Sequence, residues 1–368
     1  MISIKKIRLY ELEEFVSSDF FKDLKIKPIS IIRASSYLEN PRANKNDIVL
    51  YMAFLENELV AYRTILSDIF FIDDKPISFG WLSGNWVALK HRRKGFSTLI
   101  FREVLKDWKG KLMYTNYAEA SKLLYDKTEQ FSLLHRVEGV KYYTRFCLAD
   151  ILPKKKKIFK KTKILWIFLD RFLNLFTDLR SIFKYSLKEN SFYLKTNEPW
   201  NDTLLELANN FTNKNLFQRS KKEFNWIQKH PWILSGKKNK EDAKSYHFSS
   251  YAKEFNSNAY TIYNTKNCLI GYFLLTVRDG HMKIPYAFFD EENSEEITNF
   301  IINKCNKEKV KTIVVYNKKI EVELNNRLSF ITKKEFIQKY FMTKELKKFI
   351  KTEQEIVFQT GDGDVVFT

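Results

Sequence analysis

The chain has 368 residues, 44% hydrophobic and 29% charged, a balance that supports packed cores, argues against general disorder and predicts two domains rather than one disulfide-stapled module. Sixty-three lysines and arginines against 44 acids leave a formal charge of +19, so the expected partners are anionic: nucleic acid, membrane headgroups or a phosphorylated small molecule. The three cysteines, Cys147, Cys268 and Cys305, are too widely spaced for a disulfide framework or a zinc site, which fits a reducing cytosol.

Met1 to Tyr10 set lysines inside an alternating apolar pattern and lack the continuous apolar stretch of a secretory signal, so no export is expected. Ile48 to Phe54 and Glu58 to Phe71 read as a hairpin, and Ser78 to Leu89 as a third strand. After Gly95 the apolar positions Leu99, Ile100, Val104, Leu105 and Trp108 take helical spacing, and Lys111 to Tyr117 returns as a strand. Ala118 to Thr128 reads as a second helix and Val137 to Leu148 as a closing strand.

Pro153 is followed by seven lysines and no acid from Lys154 to Lys163. From Ile164 to Tyr185 the polar residues, Asp170, Asn174, Thr177 and Asp178 among them, recur at three- and four-residue steps, while Trp166, Phe168, Leu169, Phe172, Leu173 and Phe176 fill a broad apolar face. Such a segment matches an interfacial anchor on an anionic membrane, and equally an interdomain helix; Asp170 and Asp178 weigh against the membrane. The longest strongly apolar run, Ile164 to Leu169, is far short of the roughly 20 residues of a spanning helix. From Asn190 onward the order is strand, helical region (Trp200 to Ile233), four strands to Phe289, helix, strand, helix and a final strand, a rough echo of the first half. Asp362 and Asp364 look calcium-like, but too few ligands follow, and a tight turn before a last strand is expected.

The stretch from Val87 through Ala88, Leu89, Lys90, His91, Arg92, Arg93, Lys94, Gly95, Phe96 and Ser97 to Thr98 joins a predicted strand to a predicted helix. Amides at a helix N-terminus point outward without intrahelical partners, the helix dipole favours an anion there, Gly95 allows close approach, and Arg92, Arg93 and Lys94 add charge. The loop lacks the spacing of a P-loop or a dinucleotide fingerprint, which argues against ATP or NAD. A solvated basic turn is the plainer alternative.

This stretch resembles the signature of the GCN5-related N-acetyltransferase (GNAT) superfamily, in which a strand is followed by Arg or Gln, two residues, Gly, one residue, and Gly or Ala. Here the pattern stands as Arg92-Arg93-Lys94-Gly95-Phe96-Ser97, with Val87 five residues before the Arg and Ser97 in place of the small residue. Asn116 at the end of the next strand and Tyr125 on the following helix agree with the family's order, although Asp126 to Phe131 run one residue longer than usual and lack its Gly.

The resemblance covers residues 1–150. It implies an α/β (α+β) architecture of two GNAT-like domains, each a mixed central sheet flanked by helices: an acetyl-CoA-binding domain (1–150), a basic amphipathic helical linker (151–189) and a second domain (190–368). That second domain would lack the pyrophosphate loop, because Asp290, Glu291 and Glu292 stand where cations are needed. It also implies an N-acetyltransferase. Acetyl-CoA would lie between the Ser78–Leu89 and Leu112–Tyr117 strands, its pantetheine on Val87 and Leu89, its pyrophosphate on Arg93 to Thr98, and a strand amide near Ala88 would polarise the carbonyl. Tyr125, a phenol, suits the acid that protonates the leaving thiolate. For the base, Glu119, Asp68, or a water held by Asn116 or Ser83 remain open.

A primary amine such as an amino sugar or envelope precursor is the expected acceptor, in the cytosol or on the inner face of the cytoplasmic membrane. The alternative is an inactive tandem scaffold that binds an anionic membrane through residues 154–185, or a partner. The five histidines show no metal-ligand spacing, and no nucleic-acid recognition motif occurs.

Overall fold

The computed structural model describes residues 1–115, 119–184, 192–212, 216–236, 245–350 and 358–368. In chain order its strands are β1 (Ile2–Arg8), β2 (Ile48–Leu55), β3 (Glu58–Ile72), β4 (Lys75–Val87), β5 (Leu112–Tyr114), β6 (Phe131–Tyr143), β7 (Phe192–Thr196), β8 (Leu234–Ser235), β9 (Tyr251–Ala252), β10 (Phe255–Asn264), β11 (Leu269–Arg278), β12 (His281–Phe289), β13 (Thr312–Val315) and β14 (Thr332–Thr343). The architecture is mixed α/β, with sheet strands both parallel and antiparallel and helices between them.

The chain divides into two compact units. Unit 1 comprises Met1–Val137, Pro199–Phe255 and Gln338–Thr368, and unit 2 comprises Glu138–Glu198 and Asn256–Ile337. The sequence reading set boundaries near residues 150 and 190; here the units are interleaved instead, with β6 and β14 each starting in one unit and ending in the other.

In unit 1 the strand order is β1-β2-β3-β4-β5-β14. The β2–β3 and β3–β4 hairpins close through two-residue turns, Glu56-Asn57 and Asp73-Asp74, all four at positive φ. That is the turn geometry whose twist matches antiparallel strands, and Asn and Asp tolerate it best among non-glycines. β3 (ELVAYRTILSDIFFI) is rich in β-branched and aromatic residues and is buried along nearly its whole length, as a strand covered on both faces must be.

One face packs Ile65, Leu82 and Leu112 against Phe96, Ile100, Phe101 and Val104 of the Phe96–Asp107 helix. The other face carries Trp81, which meets Phe79, Phe217 and Tyr340. Gly80 marks how tight the first face is: a Cβ there would overlap Ile65 Cγ2 and come within 3.1 Å of the Trp108 ring. Gly80→Ala is therefore expected to lower unfolding free energy by about 1–3 kcal/mol, read as a lower urea midpoint at unchanged slope.

Unit 2 orders its strands β6-β13-β12-β11-β10-β7. Its β12–helix–β13 crossover, through Ser294–Lys307, gives a parallel pair with His281 opposite Thr312, the same order as β4, the Phe96–Asp107 helix and β5 in unit 1. Its core gathers Phe273, Met282, Ile297, Ile301 and Ile313.

Two local expectations change. The closing strand ends at Tyr143, and Leu148 already opens the helix Leu148–Lys155, which holds Pro153 in its last turn. The final segment is not a last strand: Asp364–Phe367 forms one turn of 3-10 helix, because Val366 and Phe367 are buried, Phe367 stacking on Trp232 at 4.6 Å. Among the described residues, no helix is long and apolar enough to cross a membrane.

Candidate active site

β4 pairs with β5 only at Gly80–Leu112 and Trp81–Met113, while it stays paired with β3 as far as Val87. The two parallel neighbours therefore part beyond Trp81. At the parting point β4 carries one extra residue relative to β3, between Leu82 and Asn85, and the Gly84 amide donates to Thr64 Oγ1 at 2.8 Å. Such a bulge bends a strand and re-aims its side chains. Ser83 and Gly84 both turn to the Trp81 face, whereas Asn85 turns to the helix face, where it meets the Ser97 hydroxyl at 3.3 Å and Ser121 at 3.5 Å.

At the end of β4 the Ala88 amide donates to Val60 O at 2.9 Å. The Ala88 N–H is thus committed to β3 and is not the carbonyl-polarising donor that the sequence suggested. Antiparallel alternation turns the Val87 backbone groups the other way, toward the gap, and among the described residues Val87 O accepts only a long bond there, from Arg92 Nε at 3.4 Å.

Beyond Ala88 the chain makes a 3-10 turn, Leu89–His91, and reaches the Phe96–Asp107 helix through Arg93 at φ 64° and Gly95 at φ 86°. Glycine is required at residue 95 by that angle and not by crowding, since a Cβ there would meet nothing within 4 Å. Phe96 is buried and anchors the corner, with His91 edge-on to its ring at 5.6 Å. Arg92, Arg93 and Lys94 are exposed beside the first-turn amides of Phe96, Ser97 and Thr98, which have no intrahelical acceptor. Val87, Ala88, Leu89 and the Arg92–Thr98 loop thus form one continuous corner, and a cleft of about 680 Å³ opens on it between Trp86, Leu89, Arg92, Leu24, Glu58 and His247.

Tyr125, on the Glu119–Thr128 helix, is buried among Phe101, Tyr114 and Phe131, and its phenol oxygen accepts from Arg63 Nη1 at 2.6 Å. Arg63 sits opposite Asn85 on β3, is fully buried, and its Nε and Nη2 make no hydrogen bond among the described residues. A buried guanidinium with spare donors is an incomplete anion site. The sequence reading passed over Arg63, yet a lone arginine at an inward position of β3 was a signal in plain view. Asn116 lies outside the described residues, as does the side chain of Glu119.

Asp68 is not poised as a base. Arg42 holds its Oδ1 at 3.0 Å, Arg219 and the Trp81 indole hold its Oδ2 at 3.3 and 2.9 Å, and the Ile69 amide adds a fourth bond at 2.8 Å. Burial, the largest single influence, pushes its carboxyl up, but the two guanidiniums together with the Trp81 and Ile69 hydrogen bonds hold it below the usual carboxylate range. The carboxylate that does reach the parting point is Asp364, which accepts from the Ser83 hydroxyl at the bulge; Ser83 in turn accepts from Arg33. Arg33 is fixed by Tyr37 Oη, 3.1 Å from Nε and 2.9 Å from Nη2, and by the Trp232 ring at 4.1 Å. Among the described residues no group of three His, Cys, Asp or Glu side chains is placed to hold a metal.

No family model matches the chain, and no curated protein matches it by sequence. Solved structures do match it. A probable N-acyltransferase of unknown function from Enterococcus faecalis aligns at TM-score 0.52 and 11% identity, over 95% of this chain and 74% of that one. A GCN5-related N-acetyltransferase from Anabaena variabilis aligns at TM-score 0.50 and 9% identity, over 93% and 72%. The fold is that of the GCN5-related N-acetyltransferases. The N-myristoyltransferase of Saccharomyces cerevisiae, solved with bound myristoyl-CoA, shares it at TM-score 0.50 and 11% identity, over 93% and 79%.

In the GNAT-like unit 1 the glycine-capped corner is cationic. The matching corner of unit 2, between β12 and its helix, is a 3-10 turn of Glu291, Glu292 and Asn293 with Asp290 before it and no glycine.

Proposed function

We propose that the protein is an acyl-CoA-dependent N-acyltransferase that moves acetyl from acetyl-CoA to a primary amine within a ternary complex, with catalysis in unit 1. The observation that carries this reading is the parting of β4 and β5 beside a helix N-terminus capped by Gly95 and ringed by Arg92, Arg93 and Lys94. Diphosphate suits the Phe96, Ser97 and Thr98 amides, and the free Val87 edge suits the amide groups of pantetheine. A chain entering from the corner along Val87 brings its thioester to the bulge at Ser83 and Gly84. The myristoyl-CoA complex of the yeast enzyme supports a CoA thioester in this fold.

At the bulge, Asp364 accepts one proton from the acceptor's ammonium, and the neutral amine attacks the thioester carbon. As the C–N bond forms and the C–S bond breaks, the leaving thiolate gains a proton from Tyr125, whose phenol Arg63 holds in place, the nitrogen's second proton passes through water to restore that phenol, and Asp364 returns the first proton to solvent. The product is an amide plus free CoA thiol. Asn116 remains the proposed water-holding residue and Glu119 the alternative base. Amino sugars and envelope precursors are fitting acceptors, and a reducing cytosol suits three free thiols.

Calorimetric titration of acetyl-CoA into wild type and Gly95→Glu tests the site. The open space around residue 95 lets the substituted side chain project without a clash, and Gly95→Ala beside it carries the same positive-φ strain without the carboxylate, so the difference between the two variants reads the charge against the pyrophosphate. Saturable binding by wild type, weakened about tenfold or more in Gly95→Glu, is expected. No binding by folded wild type would overturn the reading in favour of a scaffold that keeps the fold without the chemistry.

A further inference from the structure

The helix Lys163–Lys184 in unit 2 is amphipathic in the reverse of the usual sense. Its polar stripe faces the protein. Asp170 accepts from the Leu148 and Ala149 amides at 2.8 and 2.9 Å, Asn174 exchanges two bonds with the Phe146 backbone at 2.9 Å each, and Asp178 takes a two-pronged ion pair from Arg145. Its outer face is Ile164, Leu165, Phe168, Phe172, Leu175, Phe176 and Leu179, each 54–68% exposed. Arg171 is the only charge among the exposed positions from Ile164 to Leu179. The Phe172 and Phe176 rings pack edge to face at 5.4 Å on that surface.

An exposed apolar strip of this length on a water-soluble surface marks an interaction face. Immediately before it, Lys154, Lys155, Lys156, Lys157, Lys160, Lys161 and Lys163 are all exposed, with Ile158 65% exposed among them. No acid interrupts this run. The two aspartates that would repel an anionic surface are the two turned inward and paired. With Asp170, Arg171 and Asp178 within its length, the helix is too charged to span a bilayer, so it can meet one only lengthwise.

We propose that residues 154–179 dock the protein on an anionic lipid surface, the Phe168–Leu179 face entering the acyl boundary and the lysine run lying among the headgroups. Both ingredients are needed, since a modest apolar face or a basic patch alone binds reversibly and weakly. The inference does not depend on the catalytic reading, and its test does not measure acyl transfer.

The test is flotation of the full chain with vesicles of phosphatidylcholine containing about one third phosphatidylglycerol, against pure phosphatidylcholine. Wild type is expected to float with the anionic vesicles, to stay behind with the neutral ones, and to be released by roughly half-molar salt. Phe172→Glu/Phe176→Glu, at exposed positions whose loss leaves the inward stripe intact, should weaken partitioning about tenfold or more, and so should replacing Lys154 through Lys157 by Glu. Circular dichroism melts confirm that the variants fold. Wild type that ignores anionic vesicles, or a double Phe variant that floats as well as wild type, overturns the proposal. So does sedimentation showing a wild-type dimer that the double variant splits while vesicles bind neither, since a second copy would then own the face.

Discussion

Asp68→Ala is expected to cost the protein about 3–5 kcal/mol of stability, because it leaves the Arg42 and Arg219 guanidiniums buried without the carboxylate they share. Neither would be wholly deserted. Arg42 keeps Glu223 at 3.1 Å and the carbonyls of Ile69 and Phe217, and Arg219 keeps Asp362 at 3.5 Å. Those remaining partners set the loss inside that range rather than above it. Urea unfolding of the variant should show the lower midpoint.

The pH dependence follows from the sign of the shift. Burial raises the folded-state carboxyl, but Arg219, Arg42 and the Trp81 and Ile69 hydrogen bonds together depress it, so Asp68 binds its proton more readily in the unfolded chain. Its contribution is fully present above the unfolded value of about 3.9 and is lost as pH falls through the lower folded value. Wild type should therefore lose stability toward acid more steeply than Asp68→Asn, and an identical acid limb in the two would sink the assignment.

The second large effect is on chemistry. Asp364→Asn should lower turnover of acetyl-CoA with a primary amine by about a hundredfold or more while leaving acetyl-CoA affinity near wild type. Because an alkylamine loses its own proton near pH 10.4, the deficit should shrink as pH rises toward about 10. A merely structural carboxylate would give a deficit independent of pH. Asp364→Glu should restore part of the rate. Tyr125→Phe should cost roughly a hundredfold in kcat with acetyl-CoA binding intact, followed by release of CoA thiol. Unchanged turnover would remove Tyr125 from the mechanism and leave it as a packing residue among Phe101, Tyr114 and Phe131.

The hairpins of unit 1 and its cationic corner were legible because their causes are local. Asn57 and the Asp73-Asp74 pair suit positive φ, the strands are runs rich in apolar, β-branched and aromatic residues, and Gly95 precedes a helical pattern. Asp364 was not legible: it is 281 residues from Ser83, and no spacing rule connects a carboxylate in a C-terminal turn to a bulge in β4. The orientation of the Lys163–Lys184 helix was hidden for a different reason. Periodicity separates two faces but does not say which is inward. Here the amides of Phe146, Leu148 and Ala149 need acceptors, and Asn174 and Asp170 supply them, so the polar stripe is the buried one. The interleaving escaped notice because β6 and β14 look like ordinary strands, and nothing within a strand signals a change of unit along it.

Unit 1 is assembled from three separated stretches, which bears on how it is made in the cell. As the ribosome releases the chain, β1 to β5 emerge early, but the bulge still lacks Asp364, and Trp81 still lacks Phe217 and Tyr340. Phe217 arrives with the second stretch, between the two parts of unit 2, whereas Tyr340 and Asp364 arrive only after the whole of unit 2 has been synthesised. The nascent first half therefore holds an open aromatic surface for the time needed to add some 200 residues, about 10–40 s at ordinary elongation rates. A gene fragment cut at residue 150 freezes that nascent state permanently, so it is expected to precipitate or recruit chaperones, whereas the full-length protein buries the same surface as its last segment docks.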